Sequence, residues 1–164
     1  MPNIIRTATI AAPAERVFGY VDDIRNLARH MSESRSMPMM GSKLKLEILT
    51  SNATDVGATY QYSGSMMGLM IDFSETVTKY VSGREKIWRT IGNPQLLIVE
   101  SYEMRVVVEP LQANTAQLTI SFDYDLPRSG MWRLIGRALA GSYARWCLDS
   151  MISGTKRDLE RSAP

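Results

Sequence analysis

The sequence has few residues that could crosslink the chain or hold a metal ion. It contains one cysteine, Cys147, and one histidine, His30, among 164 residues. A single cysteine excludes an internal disulfide, and a structural zinc site needs about four cysteine or histidine ligands. Runs of consecutive apolar residues reach about four, as at 96–99, whereas a membrane-spanning helix needs about 20. We therefore expect neither a structural metal site nor a membrane span.

Charge of one sign is also scarce. The chain carries 19 basic and 17 acidic residues, a net charge of +2, and it has no long block of like charges, so nucleic acid is not favoured as a partner. The start of the chain has no charged-then-apolar leader, which predicts a cytoplasmic protein. Neither a Gly-x-Ser-x-Gly nucleophile motif nor a Gly-Lys-Ser/Thr phosphate loop is present. We expect no nucleotide and no other cofactor.

The patterns that are present follow one another along an uninterrupted chain. No linker, repeat or low-complexity segment divides it, which predicts one domain over residues 1–164. The segment Asn3–Ile10, rich in isoleucine and threonine, predicts a strand, and Pro13 suits the first turn of a helix. Apolar residues at helical spacing then predict two short helices, over 14–21 and 24–31.

After the two helices the apolar pattern takes the period of two that is typical of strands. Leu44, Leu46 and Ile48 alternate with charged residues, which predicts a strand with one face in water. Turn-prone segments separate the further predicted strands, at 58–63, 69–80, 85–91, 97–109 and 116–126. A helix of roughly thirty residues should follow over 129–161.

This long helix has an apolar stripe, which we expect to lie on the dry face of the sheet. The members of the stripe are Met131, Ile135, Ala138, Leu139, Ser142 and Trp146. The order of elements predicts an α+β architecture, in which a curved antiparallel sheet of about six to seven strands surrounds the C-terminal helix.

The segments around the two short helices have a recognisable pattern. Residues 10–18 read IAAPAERVF, and Val21-Asp22-Asp23 and Asn26-Leu27 follow. Later landmarks are Val56-Gly57 and 75–84, which reads ETVTKYVSGR. Over nearly the whole chain, these segments resemble the polyketide cyclase/dehydrase family of the START and birch-pollen-allergen superfamily.

This resemblance implies a helix-grip fold with a cavity between the sheet and the long helix. Such a cavity takes lipids, polyketides or aromatic metabolites. The superfamily also contains proteins that only carry a ligand, so membership by itself does not establish catalysis. One position departs from the family pattern, because His30 stands where an aromatic residue often follows the Asn-Leu pair.

Two residues are weak candidates for catalytic acid–base chemistry. The ordinary pKa of a histidine is near neutrality, which makes His30 a candidate for proton transfer; the alternative is that it covers the end of a short helix. In the alternating pattern of its strand, Glu100 falls on the same face as the apolar residues. Burial on that face would raise its pKa into a range useful for a general acid. The alternatives for Glu100 are a wet position at the rim of the sheet, or a β-bulge that turns it to the other face of the strand.

Other charged residues could also face the cavity. Glu75 and Arg89 each share parity with apolar neighbours on their strands, so an inward Arg89 could meet Glu75 or Glu100 in a buried ion pair. Arg145 and Asp149 are four residues apart on the long helix. They could hold a ligand's carboxylate or hydroxyl, or form a solvated pair.

Apolar and aromatic side chains supply the rest of the predicted ligand site. Seven of the eleven methionines fall within 31–40 and 66–70, where flexible thioethers suit either varied ligands at a cavity mouth or irregular packing under loops. Tyrosines of the strands offer aromatic walls with hydroxyl groups. The predicted ligand-binding residues are Tyr60, Tyr62, Met70, Phe73, Glu75, Arg89, Glu100, Tyr102, Phe122, Tyr124, Ile135, Leu139, Ser142 and Trp146.

Together these features predict a protein that binds a hydrophobic or aromatic small molecule in an internal cavity. One alternative is a cyclase or dehydratase that acts on a polyketide-like or aromatic substrate by general acid/base catalysis, with Glu100 or His30 as the acid or base. Another alternative is an interaction role, in which the domain helps a toxin, respiratory-chain or stress system through protein contacts and could form a homodimer. Edge strands or the Arg133 and Arg137 side of the long helix could make these contacts.

Overall fold

The computed structural model describes residues 2–33, 43–66, 68–128 and 130–162, without the side chains of residues 30, 32 and 33. This described part of the chain contains seven strands and three helices. The elements, in chain order, are β1 (Asn3–Ile10), α1 (Ala14–Asp22), α2 (Ile24–Glu33), β2 (Lys43–Ile48), β3 (Thr59–Met66), β4 (Leu69–Val81), β5 (Glu85–Gln95), β6 (Ser101–Gln112), β7 (Thr115–Asp125) and α3 (Gly130–Arg161). The predicted order of elements is confirmed.

The strands form one antiparallel sheet in the order β1-β7-β6-β5-β4-β3-β2. β1 pairs with β7, the last strand of the chain, so the two helices that follow β1 cross the sheet before β2 begins. Alternating side chains of the strands are buried beneath the helices, as in β7, where Leu118 and Ile120 are fully buried. The predicted α+β fold, a curved sheet around a long C-terminal helix, is confirmed.

The two short helices form where the sequence offers apolar residues at helical spacing and suitable ends. Val17, Phe18 and Val21 of α1 are buried, because residues three and four apart lie on one face of a helix. The carboxylate of Asp23 accepts a hydrogen bond of 3.0 Å from the backbone N–H of Arg25, which satisfies one free donor at the start of α2.

The first half of the long helix packs on the sheet through small residues, and the stripe predicted for this contact is wrong. The buried residues of α3 are Gly136, Ala140, Ala144, Leu148, Thr155 and Leu159. An ideal Cβ on Gly136 would lie 2.5 Å from the carbonyl oxygen of Ile98, so only glycine permits this close approach. Met131 of the predicted stripe is 68% exposed. In the described part of the chain, no helix combines the length and the apolar character needed to cross a membrane.

Several strand boundaries differ from the prediction, mostly near one end of the sheet. β3 continues to Met66, and β5 continues through the predicted turn at 92–94 to Gln95. Gly92 has a φ of 70°, and the pairing of β4 with β5 changes register between Asp72 and Ser74. A glycine in the left-handed region and a register shift together let the strand bend without ending.

Candidate functional site

A cavity of about 70 Å³ lies between the inner face of the sheet, α2 and the middle of α3. Its lining is overwhelmingly apolar and comes from every strand except β1. The lining residues are Ile24, Leu27, Ala28, Met31, Leu44, Tyr62, Met66, Ile71, Phe73, Glu75, Trp88, Leu96, Val99, Tyr102, Met104, Phe122, Tyr143, Cys147 and Met151. The cavity exceeds the roughly 10–15 Å³ that one water needs but is smaller than the about 300–1,000 Å³ of a drug-sized pocket.

Aromatic rings from four strands form a continuous wall on the sheet side of the cavity. Tyr62 and Phe73 occupy paired positions of β3 and β4, and their rings stack 4.7 Å apart at 9°. Phe73 meets Tyr102 edge to face at 6.1 Å, and Tyr102 lies 5.0 Å from Phe122. Offset and edge-on contacts of this kind suit aromatic quadrupoles, so the wall offers both ring faces and hydroxyl groups to the cavity.

Glu75 is the charged residue of this wall. It lies on β4 and is 2% exposed. Its Oε1 accepts a short hydrogen bond from the Tyr102 hydroxyl. Its Oε2 is buried and receives no hydrogen bond of normal geometry from the described residues. Buried carboxylate oxygens are normally satisfied, so an acceptor without a donor in an apolar cavity requires a physical explanation.

The protonation of Glu75 is tuned by opposing effects. Burial disfavours the charged carboxylate and raises its pKa from 4.5 to about 7. The nearby donor groups of Tyr102, Tyr62 and Trp88 act in the opposite direction, as does the positive charge of Lys86, but desolvation is the largest effect. Near neutral pH, Glu75 can therefore exist in either protonation state.

Lys86 supplies the nearby positive charge from a buried position of its own. Its ammonium group donates hydrogen bonds to the carbonyl oxygen of Asp22, at 2.8 Å, and to its carboxylate, at 3.0 Å. The same ammonium lies 5.6 Å from the ring centroid of Tyr60. The Asp22 carboxylate also accepts a hydrogen bond from Tyr80 at 2.9 Å. This network joins the end of α1 to β5 and keeps the Lys86 charge satisfied inside the protein.

The remaining polar groups of the cavity stay protonated at neutral pH. Burial, and for Tyr62 and Tyr102 the nearby Glu75, raises the pKa of the tyrosine hydroxyls well above 10. Burial likewise raises the pKa of Cys147 to about 12, so its thiol is a poor nucleophile. Among the described residues, no three His, Cys, Asp or Glu side chains converge as a metal site requires.

Five of the residues predicted for the ligand site come together around this cavity: Tyr62, Phe73, Glu75, Tyr102 and Phe122. Two more are buried beside it without lining it. Tyr60 donates its hydroxyl hydrogen to the carbonyl oxygen of Ala53 at 2.6 Å, and Tyr124 packs with Val99, Ala140 and Ala144 in a small separate cluster.

The structure places the other predicted residues away from the cavity. Glu100 precedes β6 at the rim, where its carboxylate pairs with Arg128 at 2.9 Å. Arg89 is exposed because the inward positions of β5 are Lys86, Trp88 and Thr90, the parity opposite to the predicted one. Five further predicted residues do not line the cavity. Of these, Met70, Leu139 and Ser142 are exposed, and Ile135 and Trp146 are half-buried.

Two further predictions concerned polar side chains on helices, the Arg145–Asp149 pair and His30. Asp149 pairs with Arg6 of β1 at 2.8 Å rather than with Arg145. His30 belongs to α2, but its side chain lies outside the described residues, as do Met37, Met39, Met40 and Met67.

Sequence reasoning did not identify the cavity residues contributed by the helices or by β5. The missed residues with polar groups are Trp88, Tyr143 and Cys147. Two lining methionines were also missed, Met104 of β6 and Met151 of α3. The alternation of Lys86, Trp88 and Thr90 was the available signal for β5, but an inward lysine is unusual without a known partner.

A larger cleft, of about 420 Å³, lies on the outside of the molecule between the short helices and α3. Three of its polar groups form a network, in which Tyr20 donates to Asp158 at 2.6 Å and Arg29 donates to the same carboxylate at 2.9 Å. The interior cavity is the better candidate site, because it combines an apolar lining with an unsatisfied polar atom.

The sheet, the long helix and the enclosed cavity define a helix-grip protein. The sequence matches the family described as polyketide cyclase/dehydrase and lipid transport over residues 1–153, and the chain belongs to that family. No curated protein matches the chain.

Solved structures share this fold at low sequence identity. The Zhui aromatase/cyclase from Streptomyces sp. R1128 has a TM-score of 0.76 at 17% identity, over 98% of this chain and 94% of that one. Norcoclaurine synthase from Thalictrum flavum, in complex with dopamine and hydroxybenzaldehyde, has a TM-score of 0.66 at 16% identity, over 99% and 89%. A START superfamily protein from Mycobacterium smegmatis has a TM-score of 0.63 at 15% identity, over 96% and 98%.

Proposed function

We propose that the protein binds an aromatic small molecule in the interior cavity and that a hydroxyl or amino group of this ligand donates a hydrogen bond to Glu75. The family supports a ligand of apolar or aromatic character. The stacked and edge-on rings of Tyr62, Phe73 and Tyr102 offer surfaces on which a further ring can pack.

The observation that carries this proposal is the buried Oε2 of Glu75, which accepts no hydrogen bond of normal geometry from the described residues, although the donors of Tyr62 and Trp88 lie near the carboxyl group. Leaving a buried acceptor unsatisfied costs about 1–3 kcal/mol, and more for a charged group. A ligand that brings a donor removes this cost, whereas a plain hydrocarbon does not. Glu75 therefore provides specificity in a cavity whose other contacts are mainly apolar.

The size of the cavity sets a condition on this binding. A volume of about 70 Å³ accommodates a small group but not several rings, so the wall must move when a larger ligand binds. Met31, Met66 and Met151 line the cavity on different elements. Methionine has three rotatable bonds and no branch, so these side chains can make room at low energetic cost.

The test compares a phenol with a hydrocarbon of the same ring system, by calorimetric titration of the wild-type protein and of Glu75→Met. We expect the wild type to bind the phenol at least about tenfold more tightly, since a hydrogen bond to a charged group contributes about 1.5–3 kcal/mol. Glu75→Met should lose this preference. Glu100→Met, altered at the rim, is the matched control and should keep it.

Equal affinity of the wild-type protein for the phenol and the hydrocarbon would contradict the role of Glu75. Failure to bind either compound, with the pair chosen from one to three rings, would contradict the ligand class itself.

A second candidate function is general acid/base catalysis on such a ligand. A pKa of about 7 places Glu75 where proton transfer is efficient at neutral pH, and Tyr62 and Tyr102 supply neutral donors beside it. Turnover of a polyketide-like substrate should then titrate with a midpoint near the pKa of Glu75 and be abolished in Glu75→Gln. Binding of the substrate without turnover would exclude this second candidate.

A further inference from the structure

The first half of α3 has a surface that the rest of the fold leaves uncovered. We propose that this surface, called here the docking face, binds an anionic lipid bilayer. It consists of the exposed apolar residues Met131, Trp132, Leu134 and Leu139 and the arginines Arg133, Arg137 and Arg145.

The docking face exposes four large apolar side chains within nine residues of the helix. Met131 and Leu134 are each 68% exposed, Leu139 is 53% exposed and Trp132 is 39% exposed. The helix turns small residues, among them Gly136 and Ala140, toward the sheet, so the large apolar side chains point away from it. Contiguous exposed apolar surface of this kind marks an interaction site.

The charges on this half of the helix all have one sign. Between residues 126 and 148 the sequence contains four arginines and no aspartate or glutamate. Arg128 pairs with Glu100, but among the described contacts Arg133, Arg137 and Arg145 pair with no carboxylate. Arginines that flank exposed leucine, methionine and tryptophan side chains are typical of helices that lie in the headgroup region of a bilayer.

The same charges disfavour a second copy of the chain as the occupant. A two-fold symmetric contact places the same patch of both copies together, so two sets of arginines would meet without acidic partners. An anionic bilayer supplies negative charge for the arginines and an apolar layer for Trp132 and Leu134.

The docking face also adjoins the wall of the interior cavity. Trp132, Leu96, Leu97 and Val99 line a surface groove of about 330 Å³ beside the helix. Leu96 and Val99 also line the cavity. Bilayer binding at this face would therefore hold the cavity wall next to a source of apolar molecules. The bilayer proposal itself does not depend on the role of Glu75.

The test is sedimentation of the full chain with vesicles of neutral phosphatidylcholine, with and without about one-third phosphatidylserine. We expect binding to the anionic vesicles that is at least tenfold stronger than to the neutral ones and that weakens with salt. The variant Arg133→Glu/Arg137→Glu should lose this binding. The control Arg84→Glu/Arg161→Glu changes the net charge equally, at exposed positions away from the docking face, and should retain most of the binding.

A second pair of variants tests the apolar contribution. Leu134→Ser/Leu139→Ser should lower binding several-fold, whereas Val56→Ser/Leu111→Ser, also at exposed apolar positions, should not. All four residues are exposed, so both proteins should fold. Anionic binding that persists in Arg133→Glu/Arg137→Glu, or binding that is equal on both vesicles, would overturn the proposal. So would a dimer in sedimentation equilibrium that Leu134→Ser/Leu139→Ser dissociates.

Discussion

The buried carboxyl group of Glu75 lowers the stability of the folded protein and also offers a hydrogen-bond acceptor to the proposed ligand. Its carboxyl group is enclosed by aromatic rings, with a donor on one oxygen and none of normal geometry among the described residues on the other. The charge of Lys86 favours the ionised form, but Lys86 is itself bound to Asp22. The ionised form of Glu75 therefore destabilises the folded protein more than the protonated form does. This difference links the free energy of unfolding to pH.

We predict that the free energy of unfolding falls as the pH rises from about 4.5 to about 7. The pKa of Glu75 is about 7 in the folded protein, against 4.5 for the ordinary group, so over this interval the folded state binds the additional proton. The contribution of Glu75 is fully present below the lower pKa and is lost through the higher one, on the order of 3 kcal/mol in total.

Urea unfolding of the wild type and of Glu75→Gln between pH 4 and 8 measures this effect. The difference between the two proteins should follow the predicted fall, with Glu75→Gln the more stable above pH 7. Glu100→Gln serves as the control, since Glu100 is partly exposed and its carboxylate lies at the rim. A difference curve for Glu75→Gln that is flat with pH would contradict the prediction.

At the scale of elements, α3 depends on the absence of a side chain at Gly136. We predict that Gly136→Ala destabilises the protein by about 1–2 kcal/mol, because the added methyl group would meet the carbonyl oxygen of Ile98 and overpacking outweighs the better helix propensity of alanine. Gly154→Ala is the matched control, because the nearest atom to its Cβ, at 4.0 Å, belongs to the flexible Arg157 side chain.

Urea midpoints of both variants decide this prediction. Gly154→Ala should stabilise the protein by up to about 1 kcal/mol. If Gly136→Ala also stabilises it, the close approach of α3 to the sheet is not as described.

The junction of α1 with β5 depends on the buried Lys86. We predict that Lys86→Met lowers the free energy of unfolding by about 3 kcal/mol, because Asp22, only 15% exposed at its side chain, loses its cationic partner. Lys79→Met, which removes a half-exposed partner of Glu85, should cost less than about 1 kcal/mol. Chemical denaturation of the two variants at pH 7 measures this difference. If both variants lose the same free energy of unfolding, the buried Lys86–Asp22 pair contributes no more than an exposed one.

On the scale of the whole molecule, the order and type of elements could be predicted because each strand with one dry face alternates in sequence. β1 begins and ends where expected. β5 does not, because Gly92 and the register shift let it bend through a segment that has the composition of a turn. The face of α3 was also misassigned: large apolar residues indicate burial in most helices, whereas here glycine and alanine make the contact.

The candidate site could be predicted only in part for a related reason. Glu75 and the aromatic residues of β3, β4, β6 and β7 follow from strand parity. The inward parity of β5 does not, because Lys86 is buried only by virtue of Asp22, 64 residues earlier in the chain. Pairings over such distances leave no local pattern in a sequence, and the same holds for the ion pair of Glu100 with Arg128 at the rim.

The contact between Gly136 and Ile98 bears on the shape of ligand that the proposed site would bind. Ala140 and Ala144 continue this contact along α3, next to Tyr143 and Cys147 of the cavity wall. These contacts fix the distance between α3 and the sheet at this point, whereas the unbranched methionine side chains of the cavity can rearrange. We expect such a cavity to discriminate by thickness rather than by outline, so that a flat ligand binds more tightly than a puckered one of equal volume.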